Sequence, residues 1–284
     1  MSLAGGADVM LLSSSVQIAF PGVNITGTST LTDSYLAGVD VLFLASGKKH
    51  TGASNAITSL TAAERTSLLN FVKGGKGAII AIDNSDFEAA NESILDAFAL
   101  DASGKLGASE SMSVGESSES TIVNGRFGTI SSVPTFWPGV IDNAAIDRVV
   151  GRFTSGATGL AVIPRGAIGA GSGPIVILSD MSTLTNTYVA QDAMALVLNS
   201  IVDMAGYCTS DFNLDGFVNG DDYDSFASAF EVGNIAADLN SDGFVNGDDY
   251  DLFASFFENA DIGADLNHDG FVNGDDYDFF AEHF

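Results

Sequence analysis

Basic residues are few in this chain: ten Lys and Arg face 37 Asp and Glu across 284 residues, a formal net charge of −27. All ten lie in the first 206 residues beside 18 acidic ones, which leaves that stretch at −8. The last 78 residues hold 19 acids and no Lys or Arg, a charge of −19. An excess of this size repels nucleic-acid phosphates and anionic membrane surfaces, so neither is an expected partner. Cysteine is limited to Cys208, which rules out an internal disulfide. No apolar run is long enough to cross a bilayer. The opening "MSLAGGADVM" lacks the basic start and long apolar core of a signal peptide, so export is not read from it.

What is present changes character near Tyr207, which predicts two regions with different tasks, 1–206 and 207–284. An acidic tail alone would stay unfolded, but this one is dense in Phe and Tyr, too apolar for a disordered chain. Its charge is therefore expected to be neutralised by bound cations. The tail repeats one sentence three times. "DFNLDGFVNGDDYDSFASAF" begins at Asp211, "DLNSDGFVNGDDYDLFASFF" at Asp238 and "DLNHDGFVNGDDYDFFAEHF" at Asp265, with starts 27 residues apart.

Numbered from Asp211, the first copy places side-chain oxygens at positions 1, 3, 5, 9 and 12: Asp211, Asn213, Asp215, Asn219 and Asp222. Position 6 is Gly216, where a tight turn is needed, and position 7 offers the Phe217 carbonyl. This is the oxygen pattern of an EF-hand-type Ca²⁺ loop. The second copy supplies Asp238, Asn240, Asp242, Phe244, Asn246 and Asp249, and the third Asp265, Asn267, Asp269, Phe271, Asn273 and Asp276. All are hard oxygen ligands; His268 is the one imidazole in any loop, which disfavours zinc and copper. Mg²⁺ demands a tighter octahedron and keeps its waters, so Ca²⁺, about three ions per chain, is the expected cofactor. After each loop an apolar stripe runs at helical spacing, Tyr223, Phe226, Ala227 and Phe230 in the first copy. Core packing between repeats is the expected use of these aromatics.

Loop and exiting helix together resemble a type I dockerin, the Ca²⁺-dependent module that docks onto cohesins. The resemblance implies a protein partner, cohesin-like or a second copy of this chain. Two departures stand out: dockerins have two repeats and this chain has three, and positions 10 and 11 are Gly-Asp in every copy. An unpaired third repeat would allow a Ca²⁺-dependent homodimer. Because carboxylate-rich loops repel until cations arrive, binding energy becomes folding energy. Millimolar external Ca²⁺ suits such sites, which points to an extracellular or cell-surface setting.

The first 206 residues alternate buried strands and helices. "VDVLFLAS" (Val39–Ser46), "GAIIAID" (Gly77–Asp83) and "PIVILSD" (Pro174–Asp180) read as strands. Thr61 and Glu64 form a capping signal for a helix stopped at Gly74–Gly75, "DFEAANESILDAFAL" is a second helix, and "TYVAQDAMALVLNSIVDMAG" closes the region. Residues 104–170, rich in Gly, Ser and β-branched types, predict antiparallel strands or an elaborated edge. The stretches around "VDVLFLASG" and "GPIVILSDMSTLTN" resemble the class I glutamine amidotransferase-like, ThuA-related superfamily. That resemblance implies a flavodoxin-like sheet. The expected architecture is thus α/β, a mostly parallel sheet with helices on both faces, plus a small all-α Ca²⁺-loop domain.

The nucleophile position implied by the same resemblance, after "GAIIAI", holds Asp83-Asn84 and no Cys, and no G-x-S-x-G is present. Catalysis by amidotransfer is therefore not expected. Lys48, Lys49 and His50, then Asp83, Asn84 and Asp86, then Asp180 and Asn186 follow strand ends. Open α/β sheets place ligand sites there, so these residues form either a polar pocket for a small hydroxylated ligand or ordinary turn caps. With one Trp (Trp137) and no acid pair evident, glycoside hydrolysis has little sequence support. The leading expectation is an exported modular protein with a Ca²⁺-dependent docking tail on a non-catalytic binding body. The alternatives are a carbohydrate-active or other hydrolytic enzyme on the same tether, or a Ca²⁺ sensor.

Overall fold

The computed structural model describes residues 10–20, 23–46, 59–115, 120–125, 127–145, 149–185, 191–205, 220–234, 237 and 244–251. The chain divides into two compact units, Met1–Val123 with Ile130–Ala205, and Gly206–Phe284 with Asn124–Thr129.

In the first unit, helices α1 (Met10–Ala19) and α2 (Asp33–Leu36) precede strand β1 (Val41–Ala45). Helix α3 (Ala62–Lys73) then leads to β2 (Gly77–Ala81). The capping box read at Thr61 closes in both directions: the Thr61 hydroxyl accepts from the Glu64 N–H at 3.3 Å, and Glu64 Oε2 accepts from the Thr61 N–H at 2.9 Å. Glu64 Oε1 also accepts from the Leu31 N–H at 3.2 Å, so this cap ties the helix start to the loop before α2. Gly75, with φ +94°, supplies the left-handed residue just past the helix end.

Helix α4 (Glu88–Leu95) follows, and then the short strands β3 (Asp101–Ser103) and β4 (Ser111–Val114). After α5 (Ser120–Val123) come β5 (Asn124–Gly125) and β6 (Gly128–Thr129), which belong to the second unit, and then, back in the first, β7 (Ser132–Pro134), β8 (Val140–Asp142), β9 (Val149–Arg152) and β10 (Thr158–Ile163). Strand β11 (Ile175–Leu178) and helix α6 (Gln191–Ala205) complete the unit.

Seven strands form one mixed sheet in the order β1-β2-β11-β10-β9-β4-β7. The parallel part is β1-β2-β11; every later pairing in the order is antiparallel. The antiparallel strands β9, β10, β4 and β7 come from the Gly- and Ser-rich stretch 104–170, where the sequence predicts them. Helices cover both faces of the parallel part. Ala78, Ile80 and Ile82 share one buried cluster with Leu68 and Phe71 of α3 and Ile94 of α4. On the opposite face, Gly77 leaves room for Met204 of α6, whose side chain fills the place that a Cβ would take. The strands β1, β2 and β11 are buried along nearly their whole length, as expected for parallel strands covered twice.

In the second unit, α7 (Gly220–Glu231) begins at loop position 10 of the first repeat, and residues 247–251 are helical from position 10 of the second. Phe226 is buried at 1% exposure, its ring centroid 5.7 Å from that of Phe230 and 6.4 Å from that of Tyr250 in the next repeat. The aromatic stripe thus packs one repeat against its neighbour, joined by Ala237 and Val245.

Replacing the α3 cap, Thr61→Ala, removes the hydroxyl from one N–H. It is expected to cost about 1 kcal/mol of stability, read from urea unfolding of the full chain.

Candidate functional site

The carboxyl ends of β2 and β11 carry acids where the two strands separate. Ala81 pairs with Leu178, and two residues further along each strand stand Asp83 and Asp180. Asp83 is 4% exposed and Asp180 fully buried. Between the strand ends lies the segment Phe136–Gly139. The Gly139 N–H donates to the Ser179 carbonyl at 3.0 Å, and a Cβ on Gly139 would stand 2.6 Å from the Asp83 carbonyl oxygen. Only glycine fits that close an approach to a backbone.

The acids and amides around it are almost fully bonded. Asp180 Oδ1 accepts from the Ser182 N–H at 2.8 Å and so caps the 3-10 turn Met181–Leu184; Oδ2 accepts from the Phe136 N–H and from the Thr183 hydroxyl. Asp83 Oδ1 accepts from the Asn84 N–H at 2.7 Å and from its amide at 2.9 Å. Asn84 Nδ2 also donates to the Trp137 carbonyl at 2.8 Å, and its Oδ1 accepts from the Asp86 N–H at 3.0 Å. Asn91, from α4, bridges back to the Asp83 backbone through both its amide oxygen and nitrogen. Among the described residues the hydroxyls of Ser46 and Ser179, at the ends of β1 and β11, are buried without a hydrogen-bond partner.

Burial raises the Asp83 carboxyl to about 7, aided by the charges of Asp180 and Asp86 and opposed by the Asn84 N–H and by Lys105. Asp180 is also raised by burial, against the pull of the Phe136, Ser182 and Thr183 donors. At the rim, Lys105 Nζ pairs with Asp86 at 2.6 Å and sits 5.5 Å from the Trp137 ring centroid. Trp137 is 41% exposed and holds φ at +56°.

Of the polar residues read from strand ends, the structure therefore brings together Asp83, Asn84, Asp86 and Asp180. Lys48, Lys49, His50 and Asn186 lie outside the described residues, as does Cys208. The sequence shows no acid pair, and the structure sets Asp83 and Asp180 at neighbouring strand ends, where the Asp180 charge adds to the rise at Asp83. Sequence reasoning also passed over Lys105 and the role of the Phe136–Gly139 segment. Two equivalent strand ends in one parallel pair were the available signal for the acids; nothing local marks the segment between them.

Of the eighteen Ca²⁺-loop positions, Phe244, Asn246 and Asp249 are described in full. Asp222 lies in α7 with its side chain outside the described residues, and the others lie outside altogether. Positions 9 and 12 of the second loop meet at the helix start. Asn246 Oδ1 accepts from the Asp248 N–H at 2.8 Å, and Asp249 Oδ2 accepts from the Asn246 N–H at 2.9 Å. This is a reciprocal cap of the Thr61–Glu64 kind, built with Asn and Asp. Asp249 is fully buried. Among the described residues no three His, Cys, Asp or Glu side chains converge as a metal site.

No family model and no curated protein matches the chain. Among solved structures it is similar to the mmIFT52 N-terminal domain, at 12% identity and a TM-score of 0.51, over 70% of this chain and 90% of that one. This likeness concerns the fold alone. A cytoplasmic protein from Salmonella typhimurium is similar at 16% identity and a TM-score of 0.45, over 68% of this chain and 85% of that one.

An aspartate raised by burial binds its proton more tightly when folded. Its stabilising contribution is complete below about pH 4 and is lost as pH rises through about 7. Urea unfolding should therefore show the body weaker at pH 8 than at pH 5, by on the order of a few kcal/mol. Asp83→Asn should flatten that difference. An unchanged slope would mean that Asp83 ionises freely.

Proposed function

We propose that this is an exported modular protein whose C-terminal region binds about three Ca²⁺ ions and serves as a dockerin-like docking or assembly module. The body in front of it is a flavodoxin-type, amidotransferase-like domain that binds and does not catalyse. One observation carries the reading: a twelve-position oxygen pattern recurs at a 27-residue interval, each copy followed by an aromatic stripe at helical spacing. The geometry of the described part supports it. Helices begin at the same loop position in two copies, and Asn246 and Asp249, ligand positions 9 and 12, come together at one of them.

The docking partner is a protein, a cohesin-like domain or a second copy. In the body, Asp83, Asn84 and Asp180 are engaged in holding turns and the Phe136–Gly139 segment, which favours a structural use over a reactive one. A second reading, a tethered hydrolytic enzyme, is favoured by the coupled acids themselves, since Asp83 near 7 would suit a general acid. Their burial beneath the segment argues against substrate access.

Calorimetric titration of the metal-free full chain is expected to yield about three Ca²⁺ per chain. The double variant Asp238→Asn with Asp242→Asn should lose about one of them. A stoichiometry that this variant leaves unchanged, or no binding at all, contradicts the reading.

A further inference from the structure

We propose that the Phe136–Gly139 segment presents Trp137 as a stacking platform for a sugar ring, with Asp86 and Lys105 as its polar contacts. This site lies wholly in the first unit and does not depend on the Ca²⁺ reading.

The indole belongs to the only Trp in the chain and keeps 41% of its surface exposed. Its backbone holds a left-handed φ of +56°, a conformation that a bulky side chain adopts only when its surroundings impose it. Here they do. On one side the Phe136 N–H is held by buried Asp180. The Trp137 carbonyl accepts from buried Asn84 at 2.8 Å. On the other side the Pro138 carbonyl accepts from the Leu106 N–H at 2.9 Å and the Gly139 N–H reaches Ser179 at 3.0 Å. Four anchors in consecutive residues fix an aromatic ring that is not needed to fill the core. Phe136, edge-on at 6.3 Å, braces it further. A platform held this way loses little freedom on binding.

The chemistry around the ring selects the ligand. Lys105 and Asp86 pair at 2.6 Å, so the rim offers a cation and a carboxylate side by side with no net charge. An anion would meet Asp86 and the acids beneath it, and a cation would meet Lys105. A purely apolar ligand would leave the ion pair unused. Ring hydroxyls both donate and accept, and so can engage Asp86 and Lys105 together. The apolar C–H face of the same ring suits the aromatic surface. A few placed polar groups beside an apolar surface are the usual make-up of a small-ligand site.

The single Trp makes the test direct, because emission excited at the red edge, beyond the absorption of the six Tyr, reports on Trp137 alone. The full-length protein is titrated with cellohexaose, xylohexaose and mannohexaose up to millimolar concentration. A saturable change in emission with at least one of them is expected, weakened tenfold or more by Lys105→Met and by Asp86→Asn. Trp137→Ala, with far-ultraviolet circular dichroism confirming its fold, should abolish the corresponding calorimetric heat. No saturable change with any of the three sugars overturns the proposal. So does binding that all three variants leave undiminished.

Discussion

Carboxylates crowded together, with few cations of the chain's own to pair them, set the terms for both units. Among the described residues the basic side chains are used at the surface. Arg65, Lys76 and Lys105 each pair with one acid, and such exposed pairs contribute little to stability. Inside the body the buried acids Asp83 and Asp180 form no ion pair among the described residues. Burial displaces both toward the protonated form, Asp180 against the pull of its backbone and hydroxyl donors. The tail has no Lys or Arg at all, so ion pairs within it cannot neutralise its 19 acids, and the proposed Ca²⁺ ions would take that part.

The same pair of acids links sheet topology to surface chemistry. Parallel strands leave their carboxyl ends at one edge, where the chain must turn and where polar side chains cap the turns. In this chain the caps also capture a distant segment, 136–139, from the antiparallel half. Burial of Asp180 is tolerable because that segment brings an N–H to it. The segment in turn keeps its unusual backbone because Asn84 and Asp180 hold both flanks of Trp137. Loss of the segment would take one donor from Asp180 and one acceptor from Asn84, which keep their bonds to Ser182, Thr183 and Asp83, so the acids and the loop support each other.

Local signals were read with most success. Thr61 and Glu64 announced a cap three residues apart, and the continuous apolar runs at Val41–Ala45, Gly77–Ala81 and Ile175–Leu178 announced buried strands. In the second unit the Phe226 stripe announced a packed helix. Less legible were pairings between distant residues. Strands such as Ser111–Val114 and Ser132–Pro134 are three or four residues long, too short for period alone to set their register. The meeting of Asp83 with Asp180 depends on β2 and β11 lying side by side across nearly a hundred residues of intervening chain. Trp137 gave no warning, since its significance lies in a backbone angle and in partners from three other segments.

The central claim, that cations supply what the tail's own sequence withholds, is tested most directly by hydrogen exchange on the full-length protein. Amide exchange would be followed by mass spectrometry in chelator and in millimolar Ca²⁺. The expected result is strong added protection in residues 211–284 with Ca²⁺ and little change in β1, β2, β11 and α6. Equal protection of the tail in both conditions would contradict it, because the repeats would then fold without the metal.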